Sequence, residues 1–437
     1  MRAQDSLQTV ILHDTDIPGQ GTAARCFRAV PPHMTPGPDS QKRRLAYRLI
    51  ILFGIVAMFG DFVYEGGRSV SGPFLFTLGA SAFMVSFIAG FGEFLGYAIR
   101  IGTGYLADKS RQYWTFVIAG YLMIGAIPLL VLAGNWEIAA FLLILERIGK
   151  AIRSPAKDAM LSHVTSAVGR GWGFGIQEAL DQVGAIAGPL LFVVALAAGG
   201  TYRGGFALLA IPFVLLIIVL LLTWRIMPDP VGFEAREVKA AAGPSLDSGR
   251  RQLRLYGAFT ALTMAGFIVF PLLAFHFKAF SIVPDADIPA FYAIAMAVDA
   301  VVALVTGKAY DRYGPVVLVL MPLFGLAIPL VAFAHSYAAA LAGSILWGAS
   351  MGMQEAILRA AVADFTPPGG RGFAYGVFNT IYGGAWFAGS IVIGALYSLD
   401  VLYAAGFMFL LQAAAVPVLL EVVRERRKGR AGAGRTP

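Results

Sequence analysis

Three ionisable side chains stand inside one apolar stretch. In "GDFVYEGGRSVSGP", residues 60–73, Asp61, Glu65 and Arg68 recur at i, i+4 and i+7 and would share one face of a helix. A carboxylate in an apolar setting can take up and release a proton as its surroundings change, and a carboxylate–guanidinium pair can exchange partners. The chemistry on offer is therefore proton transfer coupled to rearrangement. Glu65 and Arg68 are close enough to pair, and their place toward one end of the stretch predicts an ordinary salt bridge near a surface. Asp61 lies one turn deeper, with no cation in reach on its own helix. Further charges punctuate other apolar runs: Glu93, Glu146, Arg147, Lys150, Glu178, Asp181 and Asp299.

The elements that must position these groups follow from composition. The chain has 437 residues, 58% hydrophobic and 14% charged. A soluble domain carries about a quarter charged residues, so the composition points to an all-α protein that crosses a membrane many times. Spans are expected near 45–77, 81–107, 113–134, 137–158, 172–197, 203–225, 254–279, 287–307, 315–334, 337–360, 372–397 and 401–423. The resulting plan is a disordered tail 1–44, a six-helix half 45–225, a polar linker 226–253, a second six-helix half 254–423 and a basic tail 424–437. No secretory leader is visible in 1–44, and Met34 is a possible alternative start. The single cysteine, Cys26, allows no internal disulfide.

Lys and Arg collect on one side of these spans. Lys109 and Arg111, Lys150 to Arg170, the linker, Lys308 and Arg312, and Arg359 and Arg371 alternate with segments that hold only Arg68, Arg203 and Lys278. The positive-inside rule then places both termini and the linker in the cytoplasm of a cell whose plasma (inner) membrane holds the protein. The net charge of +8 is explained by this bias, and nucleic acid is not an expected partner. No metal-ligand cluster, phosphate loop or nucleophile–His pair stands out, so neither enzymatic chemistry nor a cofactor is expected.

Two short motifs recur in register. "GYLADKSR" (104–111) and "GKAYDRYG" (307–314) occupy matching loops, and "GRGWGFG" (169–175) and "GRGFAYG" (370–376) open matching spans. Duplicated halves related by an axis along the membrane normal produce such a register.

With these motifs the chain resembles the major facilitator superfamily of secondary transporters over about residues 45–425. Gly104, Leu106, Asp108, Lys109 and Arg111 fit its loop signature, with Ser110 in place of the usual glycine; Gly307, Asp311, Arg312 and Gly314 keep the second copy. Gly104 would allow close helix approach, and Asp108 would sit at a helix N-terminus or pair with Arg111. In the family this loop is a conformational latch. Arg147, followed by Gly149, resembles the family's membrane-buried arginine. Gly175, Gly184, Gly188 and Pro189 resemble a signature of proton-driven exporters, with Phe192 and Val193 where that signature has a glycine pair. "YEGGRSVSGP", "LERIGKAIRSPAKDAML" and "EALDQVGAIAGPL" together resemble one prokaryotic branch of the superfamily, which implies nothing about cargo. The resemblance implies a transporter working by alternating access as a monomer, with a small solute and protons as its partners. Proton-coupled export is preferred on the span-five residues. Proton symport or uniport of a metabolite is the alternative, and a transporter-like sensor or assembly factor is the alternative of another class.

Depth ranks the charges. At about 1.5 Å per residue in a core about 30 Å thick, Asp61, Glu93, Arg147, Asp181 and Asp299 fall near mid-membrane. Asp61 leads as proton carrier, followed by Glu65 and Asp181, with Arg147 and Glu178 in support. Arg147 would either switch partners during turnover or hold spans together statically. Adjacent residues on a helix point about 100° apart, which excludes Glu146 as its partner and leaves Asp61 or Asp181. Glu178 and Asp181, three residues apart, would repel, so that one carries a proton. Gly184, Gly188 and Pro189 serve close packing, bending or gating. Glu93, Asp299, Asn379, Tyr382 and Trp386 are candidates for the substrate cavity, with Glu93 equally readable as a structural acid. Asp299 has no visible partner in its own half and should face a cavity. Lys150, Arg153, Lys157 and Asp158 form one group at the basic mouth, where topology and inter-helix salt bridges are the ordinary explanation and substrate attraction the other. His276 and His335 are expected at the surface.

Overall fold

Apolar runs of roughly 20 residues, set off by Gly, Pro and capping residues, can satisfy their backbone polar groups inside hydrocarbon only as helices. The computed structural model describes residues 38–165, 168, 170–229, 250–358, 360–362 and 371–433, and every regular element among them is helical. In order these are α1 (Pro38–Thr77), α2 (Ala82–Ser110), α3 (Tyr113–Leu122, continued by 3-10 turns to Leu132), α4 (Trp136–Thr165), α5 (Arg170–Ala197), α6 (Tyr202–Leu208), α7 (Ala210–Ile226), α8 (Arg250–Ala265), α9 (Phe270–Ala279), α10 (Asp287–Tyr313), α11 (Leu320–Ala332), α12 (Tyr337–Met353, then a π turn at Gln354–Leu358), α13 (Arg371–Leu399) and α14 (Val401–Ala433). The chain divides into two units, Met1–Gln41 and Lys42–Pro437, and the packed helices described below belong to the second.

Nine helical stretches among the described residues are long and apolar enough to cross a membrane. The spans expected near 287–307 and 315–334 run together as one of them, Asp287–Ala332, through the 3-10 segment Gly314–Val319. Those expected near 137–158 and 337–360 are helical, as α4 and α12, but lie outside the apolar set. α4 carries Glu146, Arg147, Lys150, Arg153, Lys157 and Asp158, and α12 is 17 residues long. Residues 38–44, expected to be disordered, form the first turns of α1, and α14 continues to Ala433 through the expected basic tail. Residues 1–37, 230–249 and 363–370, and with them most of the expected tail and linker, lie outside the described residues.

Ends are fixed by local chemistry. Ser81, Thr201 and Ser336 accept from the backbone N–H of Met84, Gly204 and Ala339, each capping a helix N-terminus. Gly79 and Gly199, at φ 84° and 80°, turn the chain after α1 and α5. Large apolar side chains line the outside: Leu132, Leu304 and Leu402 are 72%, 78% and 76% exposed, as lipid contact requires and water would penalise.

Small residues bring backbones together. A side chain at Gly184 or Gly188 of α5 would collide with the carbonyls of Met58 and Phe62 in α1. Gly348 and Gly352 of α12 meet the carbonyls of Ala295 and Asp299 in α10 in the same way, and Gly72 of α1 meets the carbonyl of Pro271 in α9. α2 packs against α4 and α13, and α10 against α5 and α12. Between α8 and α9 the helix is interrupted at 266–269. Trp347 Nε1 donates to the Ile268 carbonyl at 2.9 Å, and Trp386 Nε1 to that of Phe267 at 3.1 Å. These indoles give freed carbonyls the donors that make a broken helix tolerable away from water.

Candidate functional site

The charges of α1, α2 and α4 converge on one buried network. Glu93 of α2 sits between two guanidiniums, with Arg68 Nη2 and Arg147 Nη2 each 3.1 Å from its Oε1. Arg68 also lies 3.9 Å from Glu65, and Arg147 Nε 3.9 Å from Glu146, which in turn stands 3.5 Å from Arg153. Tyr64 is the central ring: its hydroxyl accepts from Arg68 at 3.0 Å, and the Arg147 guanidinium and Lys150 ammonium each lie 4.4 Å from its centroid. The Tyr292 hydroxyl of α10 donates to Glu65 Oε2 at 2.5 Å, tying the network to a helix 227 residues along the chain.

Three expectations are corrected here. Arg147 pairs with Glu93 and Glu146, not with Asp61 or Asp181. The exclusion of Glu146 fails because a long side chain turns back along its helix, which Cβ directions alone do not capture. Glu65 and Arg68 are not a surface pair: they are 6% and 7% exposed and belong to the network. Asp61 is not held by Arg147, and among the described residues it makes no ion pair.

Asp61 instead faces a cavity of about 600 Å³ near the basic end of the helices. Its acids are Asp61 and Glu65 of α1, Asp158 of α4, Glu178 and Asp181 of α5, and Glu355; its cations are Arg100 of α2 and Lys150, Arg153 and Lys157 of α4. Asp181 accepts from Gln177 Nε2, and Glu178 from Gln182 Nε2, both at 3.3 Å. Gly175 also lines the cavity, where nothing would meet an added side chain, while Gly184, Gly188 and Pro189 continue along α5 toward its contact with α1. At the far end from this mouth, Gly72 meets Pro271, and the Phe76 and Phe275 rings pack edge to face, 5.2 Å between centroids.

The remaining candidates lie elsewhere. Glu93 is inside the network. Asp299 is 1% exposed, at the point where Gly352 presses on its backbone, and does not line the cavity. Trp386 is fully buried as a donor to the helix break. Asn379 and Tyr382 line a separate space too small for a solute, about 10 Å³, where the Tyr382 hydroxyl donates to Gln354 Oε1 at 3.1 Å. In the loop motif, Gly104 stands beside Pro155, whose ring a side chain at residue 104 would touch. Asp108 lies in the last turn of α2, not at a helix N-terminus, and accepts from the Tyr113 hydroxyl at 3.1 Å, not from Arg111. Arg111 ends α2 in the left-handed region, φ 55°. Asp311 and Arg312 are exposed at the end of α10, and Gly307 has open space around it. His276 is fully buried, its Nδ1 2.7 Å from the Tyr397 hydroxyl, because α9 is enclosed on nearly all sides; His335 is exposed as expected.

Tyr64, Tyr292, Gln177 and Gln182 were not singled out from the sequence. Tyr64 carries a signal, since it shares a helix face with Asp61, Glu65 and Arg68. Tyr292 carries none, because only the tertiary fold brings α10 to Glu65.

A many-helix fold of this kind, with a charged cavity among its spans, defines a membrane transport protein, and the comparisons place it. The model of the Major Facilitator Superfamily matches residues 50–390 and 256–435, and the chain belongs to that family. An uncharacterized protein of Mycobacterium tuberculosis is 41% identical over 360 residues, 82% of this chain and 88% of its own. An uncharacterized MFS-type transporter of Methanocaldococcus jannaschii is 30% identical over 161 residues, 36% of this chain and 40% of its own. Among solved structures, the nucleoside transporter NupG superposes with a TM-score of 0.67 at 14% identity, covering 86% of this chain and 98% of that one, which establishes a shared fold. The protein is a multi-pass membrane transporter of this superfamily.

Proposed function

We propose that the protein moves a small organic solute by alternating access, and that protons drive its export. The observation that carries this reading is the charged cavity, in which Asp61 has no ion-pair partner while every nearby arginine of the network is occupied. An acid that closes no ion pair, within reach of water at one mouth, is free to exchange a proton, and its charge then acts on Lys150 and the adjoining network. The Glu65–Tyr292 contact would pass that change to α10. The two six-helix halves would rock about this site, with the basic end and both termini in the cytoplasm of the plasma membrane and the cavity open to that side. The motif residues Gly104, Asp108, Arg111, Gly307, Asp311 and Arg312 would act as the latch at that face. Export is preferred because Gly175, Gly184, Gly188 and Pro189 resemble a signature of proton-driven exporters; Gly184 and Gly188 also seat α5 directly on the helix that carries Asp61. The protein would work as a monomer.

The test is solute flux in proteoliposomes with and without an imposed pH gradient. Gradient-driven flux is expected in the wild type and its loss in Asp61→Asn. Flux indifferent to the gradient removes the proton coupling, and undiminished coupling in Asp61→Asn removes Asp61 as carrier.

A further inference from the structure

The cavity holds charges of both signs on different helices, with no ion pair among the described residues joining Lys150, Lys157, Asp61 or Asp181. Lys150 and Lys157, two helical turns from each other on α4, line it without an ion pair among the described residues. Asp61 and Asp181, on α1 and α5, line it in the same condition. Lys150 faces Asp61 and Lys157 faces Asp181 across the space, attracting each other without closing into an ion pair, so each charge still lacks an opposite charge at contact distance. The partnerless hydrogen-bonding atoms divide the same way. On α5, Gln177 Oε1, Asp181 Oδ1 and Gln182 Oε1 are buried acceptors without a donor; on α4, Arg153 Nη1 is a buried donor without an acceptor. Gln177 is only 6% exposed, so its free oxygen is held in place within the fold.

We infer that this cavity takes a small zwitterion, a solute with a primary ammonium at one end and an oxyanion at the other. The inference rests on the cavity being the solute site proposed above. An ammonium offers three N–H donors, matching the acceptor oxygens of α5, with Asp181 supplying the charge. A carboxylate or phosphonate offers acceptors to Lys150, Lys157 and Arg153, with geometry suited to two donors at once. A solute with a single charge answers one wall and leaves the other as it was. An apolar solute leaves both unpaired and displaces whatever water solvates them, the situation that binding sites penalise most strongly.

The experiment is equilibrium binding to the purified full-length protein, followed by calorimetry and by thermal shift. The probes are 4-aminobutyrate, 6-aminohexanoate and 3-aminopropylphosphonate, each set against butyrate, butylammonium and butanol. At least one zwitterion is expected to bind about tenfold or more tightly than every analogue with one charge or none. The carboxylate and phosphonate probes identify which oxyanion the lysine wall prefers. Lys157→Gln should weaken the zwitterion about tenfold and leave butylammonium unchanged; Asp181→Asn should weaken it similarly and leave butyrate unchanged. Lys157→Arg and Asp181→Glu, which keep the charges, supply folded controls. A singly charged or neutral analogue that matches the best zwitterion overturns the inference, as does a folded protein that binds none of the three. Binding without flux would count against the transport mechanism and leave this inference standing. Flux of an uncharged solute, with no zwitterion bound, would do the reverse.

Discussion

The two ends of the chain bury polar groups in different currencies of interaction. In α1, α2 and α4 the buried groups are ions: Glu65, Arg68, Glu93, Glu146, Arg147 and Arg153 contact one another in a continuous set. In α8 to α14, apart from the buried acid Asp299, the bonds around the helix break are neutral donors on backbone acceptors, with Trp347 and Trp386 on the carbonyls of Ile268 and Phe267 and Gln412 Nε2 on that of Thr263 at 3.0 Å. The neutral bonds have one arrangement. An ionic set can rearrange when a proton is gained or lost, because that changes which partners attract. The difference fits the proposed division, with adaptable chemistry in the first region and a fixed frame in the second.

Removing an ion should therefore cost more than removing an indole N–H. Arg147→Met leaves Glu93 and Glu146 short of a buried counter-ion, and a loss of about 3–5 kcal/mol is expected in thermal or denaturant unfolding in detergent. A melting temperature equal to the wild type would show that the network contributes no cohesion. Trp347→Phe keeps most of the ring but orphans the Ile268 carbonyl, for an expected loss of about 1–3 kcal/mol. If this variant is the less stable of the two, the contrast between the regions is reversed. Tyr292→Phe removes a hydroxyl that joins them. Its stability cost should be about 0.5–1.5 kcal/mol, with a change in how readily cysteine probes at the basic mouth are labelled. Labelling identical to the wild type would mean that the contact does not transmit. Asp61→Asn should have the smallest effect on stability, within about 0.5 kcal/mol, since no ion pair is broken. Marked destabilisation would reveal a structural role for that acid.

Much of this is legible in the amino-acid sequence. Apolar runs and capping residues located the helices because they act within a few residues of chain. Asp61, Glu178, Asp181 and the lysine group of α4 were readable as a set because each is an expensive residue in an apolar run. Partner choice was not readable. Arg147 has four acids at comparable depth, and which it meets depends on how α2 and α4 rotate against each other, a property of packed surfaces. His276 and Asp299 were misplaced for a related reason: depth along a helix says nothing about which side of it is covered. Tyr292 is an ordinary apolar-helix residue until α10 is set beside α1.

Gly72 and Pro271 bring α1 and α9 into backbone contact at the end opposite the charged mouth, and no side chain of residue 72 stands between them. Glycine has no side chain to bond across such a junction, so dispersion, at about 0.1–0.2 kcal/mol per atom pair and with little directional preference, contributes to holding it. Two surfaces joined in this way can separate and re-form without a bond having to be broken in sequence. Under the alternating access proposed above, the aromatic rings around this seal would set the barrier to opening that end, and the seal itself would suit rapid cycling.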